Sequence, residues 1–422
     1  MRLRINHKQE QPPLPNSASD TPAPDTPGTA PGHAARPPIW LLSGLGILCT
    51  LVTVVFARLA YGLVLPAMRA DLGLSYAQAA NLGTVTAMGY LALLLYAGVF
   101  AGRFGGKPAI MTGLGLASAG FLMLSLVSAY GWLLLAMILL GFGTAFAFTP
   151  LISLLGSWYP DRRGTVIGFA NSGVGLGILI SGALVPALTD AAGPTAWRLV
   201  WGIFFVSAML TLALIATLLR EPPRHAEAVS VRHGLASVYR NRHVVVIGAV
   251  YGIVGATYIV QTLFMFSFAL ESGVNPITAG RLVAIMGLLS VFAGPAWGWA
   301  ADRIGHANAL LICMLLSCVA TIVPVLQADT STFIVHYVLM GASVSGLFTS
   351  ILAASTSTVK PQHAAMAVSF VTVFFALGQL LGPAAAGLLI DWQQDFRLTF
   401  SLSSVLLVFG AILGRYSRKF VI

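Results

Sequence analysis

The chain has 422 residues, of which 57% are hydrophobic and only 9% charged, and its formal net charge is +10. Ordinary soluble domains carry about 25% charged residues, so this composition excludes a string of water-soluble domains and describes a polytopic helical membrane protein. The basic residues do not gather on one polar domain, which excludes nucleic acid as the partner and leaves the lipid bilayer.

Residues 1–38 are rich in Pro, Ser, Thr and Ala and lack apolar periodicity, which predicts a disordered cytoplasmic tail. Its Pro12-Pro13-Leu14-Pro15 run reads as solvated polyproline in preference to an SH3-type ligand. A secretory leader is not expected, because the first apolar run is too long and follows a long polar stretch.

Twelve apolar runs then follow, at roughly 39–66, 78–100, 108–128, 131–155, 164–188, 198–219, 243–268, 277–300, 308–327, 332–356, 364–390 and 397–414. Each is long enough to cross a bilayer as a helix, and none alternates as a membrane strand would. The fold class is therefore all-α. An N-terminal bundle of six helices (39–220) is joined by a cytoplasmic loop (221–242) to a C-terminal bundle of six (243–414) and a short tail (415–422).

Basic residues orient the spans. With the N-terminus inside, eighteen of the 23 fall in cytoplasmic segments, and Arg69, Arg198, Arg281 and Arg397 lie on the other side. The exception is Arg58, about two-thirds along the first run. A mid-membrane arginine costs about 2.5–3.5 kcal/mol on insertion scales, so it belongs in a wet cavity or against an internal partner. No Asp or Glu falls within any apolar run. A buried cation with no carboxylate of its own points to a cavity that receives an anion, the competing role being a packing arginine bonded to backbone or water. Cys49, Cys313 and Cys318 lie in apolar runs without CxxC spacing and read as core thiols. No metal or cofactor motif is present.

The connection after span 2 reads Gly98-Val99-Phe100-Ala101-Gly102-Arg103-Phe104-Gly105-Gly106-Lys107-Pro108, and that after span 8 reads Gly298-Trp299-Ala300-Ala301-Asp302-Arg303-Ile304-Gly305-His306. Two related strings at matching places in the two halves mark an internal duplication. Glycines there would let helices approach closely, and the charged turn would latch neighbouring helix ends.

On these strings the chain resembles the major facilitator superfamily over essentially everything after residue 38. The resemblance implies two six-helix bundles around a midplane cavity, a monomer, and alternating access, with Gly98, Gly102, Arg103, Gly105, Lys107, Gly298, Asp302, Arg303 and Gly305 as gating residues. Gly102 stands where that family usually has Asp. Phe56-Ala57-Arg58-Leu59-Ala60-Tyr61-Gly62 through Pro66-Ala67-Met68-Arg69-Ala70-Asp71-Leu72-Gly73 resembles the bacterial YbfB-type branch, which implies a bacterial inner membrane. Trp158-Tyr159-Pro160-Asp161-Arg162-Arg163-Gly164 is similar to a loop of monocarboxylate and oxalate/formate carriers. Aligned on Pro295, however, Ser290 and Gly294 stand where lactate-type carriers often have an acid and an arginine. Met137 stands where drug/proton antiporters have an arginine before Gly141-Phe142-Gly143.

Seven residues are expected at a substrate site. Tyr61, three residues beyond Arg58, would share its helix face and add an orienting hydroxyl. Asn171 in span 5 faces either the cavity or a neighbouring helix, and Gly168, Gly173, Gly175, Gly177 and Gly182 around it read as packing glycines. Tyr258 and Gln261 share a face of span 7. His336, beside Tyr337 in span 10, is either a proton carrier or a packing histidine. Gln379 completes the set in span 11. The expected cargo is a small organic anion, a carboxylate first, with a proton as possible companion. A drug exporter and a non-transporting sensor are the rival readings. No catalytic motif supports an enzyme.

Overall fold

The computed structural model describes residues 37–159, 163–221, 238–359 and 364–417. The expected tail up to residue 36, its proline run, most of the 221–242 loop and the last five residues lie outside the described residues. Among the described residues there are twelve helical spans and no strand. A bilayer core offers no water to unpaired backbone groups, and helices satisfy theirs internally.

Span 1 is built from Ile39–Thr50, a π-helix over Leu51–Leu59 and a further α-helix over Tyr61–Leu72. It therefore runs past Pro66, where the sequence suggested an end, and stops at Gly73, whose φ of 63° is cheap only for glycine. Spans 2–6 are Tyr76–Phe104, Gly106–Leu126, Tyr130–Trp158, Arg163–Ala192 and Trp197–Leu218. Spans 7–12 are Arg242–Glu271, Pro276–Ile304, His306–Leu326, Thr330–Thr356, Ala364–Gln393 and Arg397–Tyr416. Polar caps set several starts: Ser75 with Gln78, Asn275 before Pro276, and Asp329 with Thr332.

Spans 1–6 pack on one another, as do spans 7–12. The halves meet through span 2 against span 11, span 5 against span 8, and span 1 against span 7. Exchanging the halves maps the first of these pairs onto the second, as an internal duplication requires.

Glycines make the seam close. A Cβ at Gly182 would lie 2.6 Å from the Ala284 nitrogen and 2.8 Å from the Gly280 oxygen. One at Gly62 would overlap the Thr262 carbonyl oxygen, and one at Gly387 would sit 3.0 Å from that of Tyr76. The span 5 glycines divide by face. Gly173 and Gly177 pack on Ile47 and Val55 of span 1, Gly175 and Gly182 pack on span 8, and Gly168 faces open space.

The two ends of the bundle pair differ. At the end away from the termini, bonds cross between halves. Asp391 of span 11 accepts the backbone N–H of Tyr76 (2.8 Å) and Ala77 (2.7 Å) at the start of span 2. Glu271 of span 7 accepts the Tyr76 hydroxyl and pairs with Arg69 at 3.4 Å, while the Arg69 guanidinium lies over the Tyr76 ring. At the terminal end, among the described residues, the bonds stay within one half. Lys107 donates to the Ala216 carbonyl, Trp158 to that of Arg220, and Asn241 to Thr358. The His243 ring lies against the Ala354 and Ser417 carbonyls. Among the described residues, the interior is thus latched shut on the far side only.

Candidate functional site

The π-helix sets the direction of Arg58. Widening to i→i−5 bonding, seen in the 2.8 Å bond from the Ala60 N–H to the Val55 oxygen, inserts an extra residue into the turn and leaves carbonyls misaligned. Thr144 of span 4 answers one of them: its hydroxyl lies 2.6 Å from the Thr53 oxygen and 3.0 Å from its own Leu140 oxygen. The guanidinium then points between the halves. Its Nη2 donates to Oε1 of Gln379 in span 11, and its carbon sits 4.6 Å from the centre of the Tyr90 ring in span 2.

Magnitudes explain how such a cation stands without an acid. A hydrogen bond to a charged group contributes about 1.5–3 kcal/mol and a cation–π contact about 0.5–2 kcal/mol. Together they offset an insertion cost of about 2.5–3.5 kcal/mol. Among the described residues no carboxylate lies within ion-pair distance of Arg58. One of its five N–H groups is bonded to Gln379, which leaves donors for a ligand.

Arg58 and Gln379 line a cavity with Thr86, Tyr61 and Gly62 among its other walls. A second cavity adjoins it along Leu59 and Thr262, which line both. Besides Thr262, its polar groups are Ser181, Tyr258, Gln261, His336 and Tyr337. Neither wall includes an Asp or Glu.

Six of the seven expected residues therefore reach these two cavities, though not all in the expected way. Tyr61 is a correction. Its hydroxyl donates to the Ala79 carbonyl (2.9 Å), so only its ring borders the Arg58 cavity. The physical reason is the π-helix and the turn at Ala60, which break the regular three-residue offset between positions 58 and 61. Asn171 is exposed and lines neither cavity, because its stretch of span 5 lies nearer the terminal end. His336 donates through Nδ1 to the Ala320 carbonyl (2.8 Å), which ties span 10 to span 9 and leaves Nε2 as the acceptor of a neutral ring.

The chain matches the family described as "Uncharacterised MFS-type transporter YbfB" over residues 50–415. It belongs to the major facilitator superfamily. Among curated relatives, human monocarboxylate transporter 11 is 27% identical over 329 residues, covering 74% of this chain and 68% of the relative. Human monocarboxylate transporter 6 is 25% identical over 341 residues, covering 74% and 67%. The fujikurins efflux protein of Gibberella fujikuroi is 24% identical, covering 63% and 57%. Solved structures share the fold. A bacterial homologue of the human lysosomal transporter Spinster, inward-facing and unoccupied, aligns with a TM-score of 0.75 at 17% identity over 90% of this chain and 97% of that one. A point mutant of the nucleoside transporter NupG aligns with a TM-score of 0.75 at 12% identity, covering 89% and 99%.

In this superfamily transporter the duplicated loops are held differently from the packing expected of their glycines. A Cβ at Gly98 or Gly102 would meet nothing within 4 Å, and both residues lie within span 2. Gly105 and Gly305 have a backbone reason instead, with φ of 113° and 84° at the breaks between spans 2 and 3 and spans 8 and 9. Arg103 and Arg303 lie over the neighbouring Phe104 and Trp299 rings, at 5.4 Å and 3.8 Å. Lys107 ties spans together, through the Ala216 carbonyl and, by its N–H, Glu221. Gly298 and Asp302 fall within span 8.

Sequence reasoning missed Tyr90 beside the Arg58 guanidinium, Ser181 at the second cavity, and the far-side latch of Tyr76, Glu271 and Asp391. The spacing of Thr86 and Tyr90, four apart and so on one face of span 2, was the available signal for the first. Acids at the far ends of spans 7 and 11 were the signal for the latch.

Proposed function

We propose that this transporter moves a small organic anion, a carboxylate first among candidates, by alternating access. The observation that carries the proposal is the Arg58 guanidinium, held between the two halves with donors to spare and no acid paired with it among the described residues. An anion would neutralise a charge that grows costly as the cavity closes around it, so binding and closure are coupled through differential stabilisation. A cationic drug would meet a like charge. The monocarboxylate transporters among the relatives support the same class of cargo.

The excess of arginine and lysine on the terminal side supports cytoplasmic termini in a bacterial inner membrane. The conformation described then opens toward the cytoplasm and is latched toward the outside. We read the chain as a monomeric carrier with no catalytic step. His336 Nε2 is the cavity group able to accept a proton travelling with the anion.

Uptake of labelled carboxylates into proteoliposomes tests the proposal. Accumulation or counterflow by the parent, lost in a folded Arg58→Gln protein, is expected. A carboxylate moved equally well by both proteins would overturn the role of Arg58. Saturable binding without movement would instead mark a sensor.

A further inference from the structure

The second cavity raises a separate question, because uncharged polar side chains stand among its mostly apolar walls. Three of its side chains, Ser181, Gln261 and Tyr337, are 0%, 4% and 3% exposed, and Ser181 Oγ, Gln261 Oε1 and the Tyr337 hydroxyl have no hydrogen-bond partner among the described residues. Buried polar atoms are rarely left unpaired, and three that line one cavity mark a space filled by something able to bond them. The Arg58 cavity contributes no such orphan.

We infer that this chamber, walled by Ser181, Tyr258, Gln261, His336 and Tyr337, holds an uncharged hydrogen-bonding group of the same cargo whose carboxylate sits at Arg58. The cargo class is then a carboxylate bearing a hydroxyl or carboxamide, and neither a plain alkanoate nor a dicarboxylate. The inference rests on the Arg58 reading above and narrows it.

Four features favour this occupant. Gln261 Oε1 can only accept, and His336 has its Nδ1 proton committed to Ala320, so Nε2 accepts in a neutral ring. Those two acceptors call for a donor, which an alcohol or an amide supplies and a second carboxylate lacks. No acid lines the chamber to balance an ammonium, which leaves a neutral donor. The hydroxyls of Ser181, Tyr258 and Tyr337 can both give and take, as an alcohol or amide requires. Leu59 and Thr262 border both chambers, so a short carbon chain passing them connects the two ends.

Isothermal titration of the purified full-length protein with butanoate, its 2-, 3- and 4-hydroxy derivatives and butanedioate is the test. At least one hydroxybutanoate is expected to bind about five- to tenfold tighter than butanoate, the effect of one or two net hydrogen bonds, and butanedioate more weakly. In Gln261→Leu and in Tyr337→Phe that ratio should fall to about one. Equal binding of butanoate and all three hydroxy acids would mean that water alone fills the chamber. A preference unchanged in both variants would place the hydroxyl elsewhere. Either result overturns the inference and spares Arg58, whereas failure of every acid to bind the parent overturns both readings.

Discussion

Gly182→Ala isolates the seam from the binding site, because Gly182 lines neither cavity. Its new Cβ would stand 2.6 Å from the Ala284 nitrogen, 2.8 Å from the Gly280 oxygen and 3.1 Å from the Ala284 Cα. These are backbone atoms of a helix and cannot swing aside as a side chain would. Spans 5 and 8 must part by about 1 Å to restore ordinary contact, at an overpacking cost of about 1–3 kcal/mol. A conformation open on the far side separates these helices and escapes that cost. The substitution should therefore shift the balance toward it by about 5- to 150-fold. Spin labels at Ala191 and Gln393, exposed far-side ends of spans 5 and 11, would report the change in a background with Cys49, Cys313 and Cys318 replaced. Double electron–electron resonance should show a longer-distance population absent from the parent. An unchanged distance distribution in a folded Gly182→Ala protein would refute the reasoning that this seam closes the far side.

Three further expectations follow from other contacts. Asp391→Ala removes the carboxylate that caps Tyr76 and Ala77 across the halves; it should weaken the far-side latch by about 1–2 kcal/mol and lengthen the same distance, and a parent-like distribution would show the latch idle. Thr144→Val keeps the shape but not the hydroxyl that bonds the Thr53 carbonyl. It should lower thermal stability by about 1–3 kcal/mol and weaken carboxylate binding together, since the π-helix aims Arg58. The Ser331 hydroxyl and the Thr332 N–H hold the Asp329 carboxyl below the usual carboxylate range. Its stabilising effect is therefore complete above the ordinary pKa of about 4 and fades as pH falls through the lower native value. Asp329→Asn should flatten the melting temperature over that acid window, and an identical pH profile would remove the cap from the account.

The architecture was legible in the sequence because lipid imposes it: twelve long apolar runs admit only helices, and the strings around Arg103 and Arg303 expose the duplication. Arg58 was legible for the same reason, being a charge where none is cheap. Its surroundings were not. A π-helix over Leu51–Leu59 needs one extra residue in a turn and leaves no mark on composition, so the bond that takes the Tyr61 hydroxyl to the Ala79 carbonyl and away from the Arg58 cavity was not foreseen. The bonds from Arg58 to Gln379 and from Asp391 to Tyr76 join residues more than 300 positions apart, where neither periodicity nor spacing speaks. Glycines misled in one place and guided in another. Gly175 and Gly182 mark the seam as their crowding in span 5 suggested, whereas Gly98 and Gly102 touch nothing.

Titrating butanoate against butanamide, with shape held nearly constant, asks whether Arg58 recognises charge. Two charge-assisted hydrogen bonds of about 1.5–3 kcal/mol each set the scale, so the parent should prefer the acid by at least about 30-fold. In Arg58→Gln that preference should disappear. Acid and amide binding the parent alike, or a preference that survives in Arg58→Gln, would contradict the account.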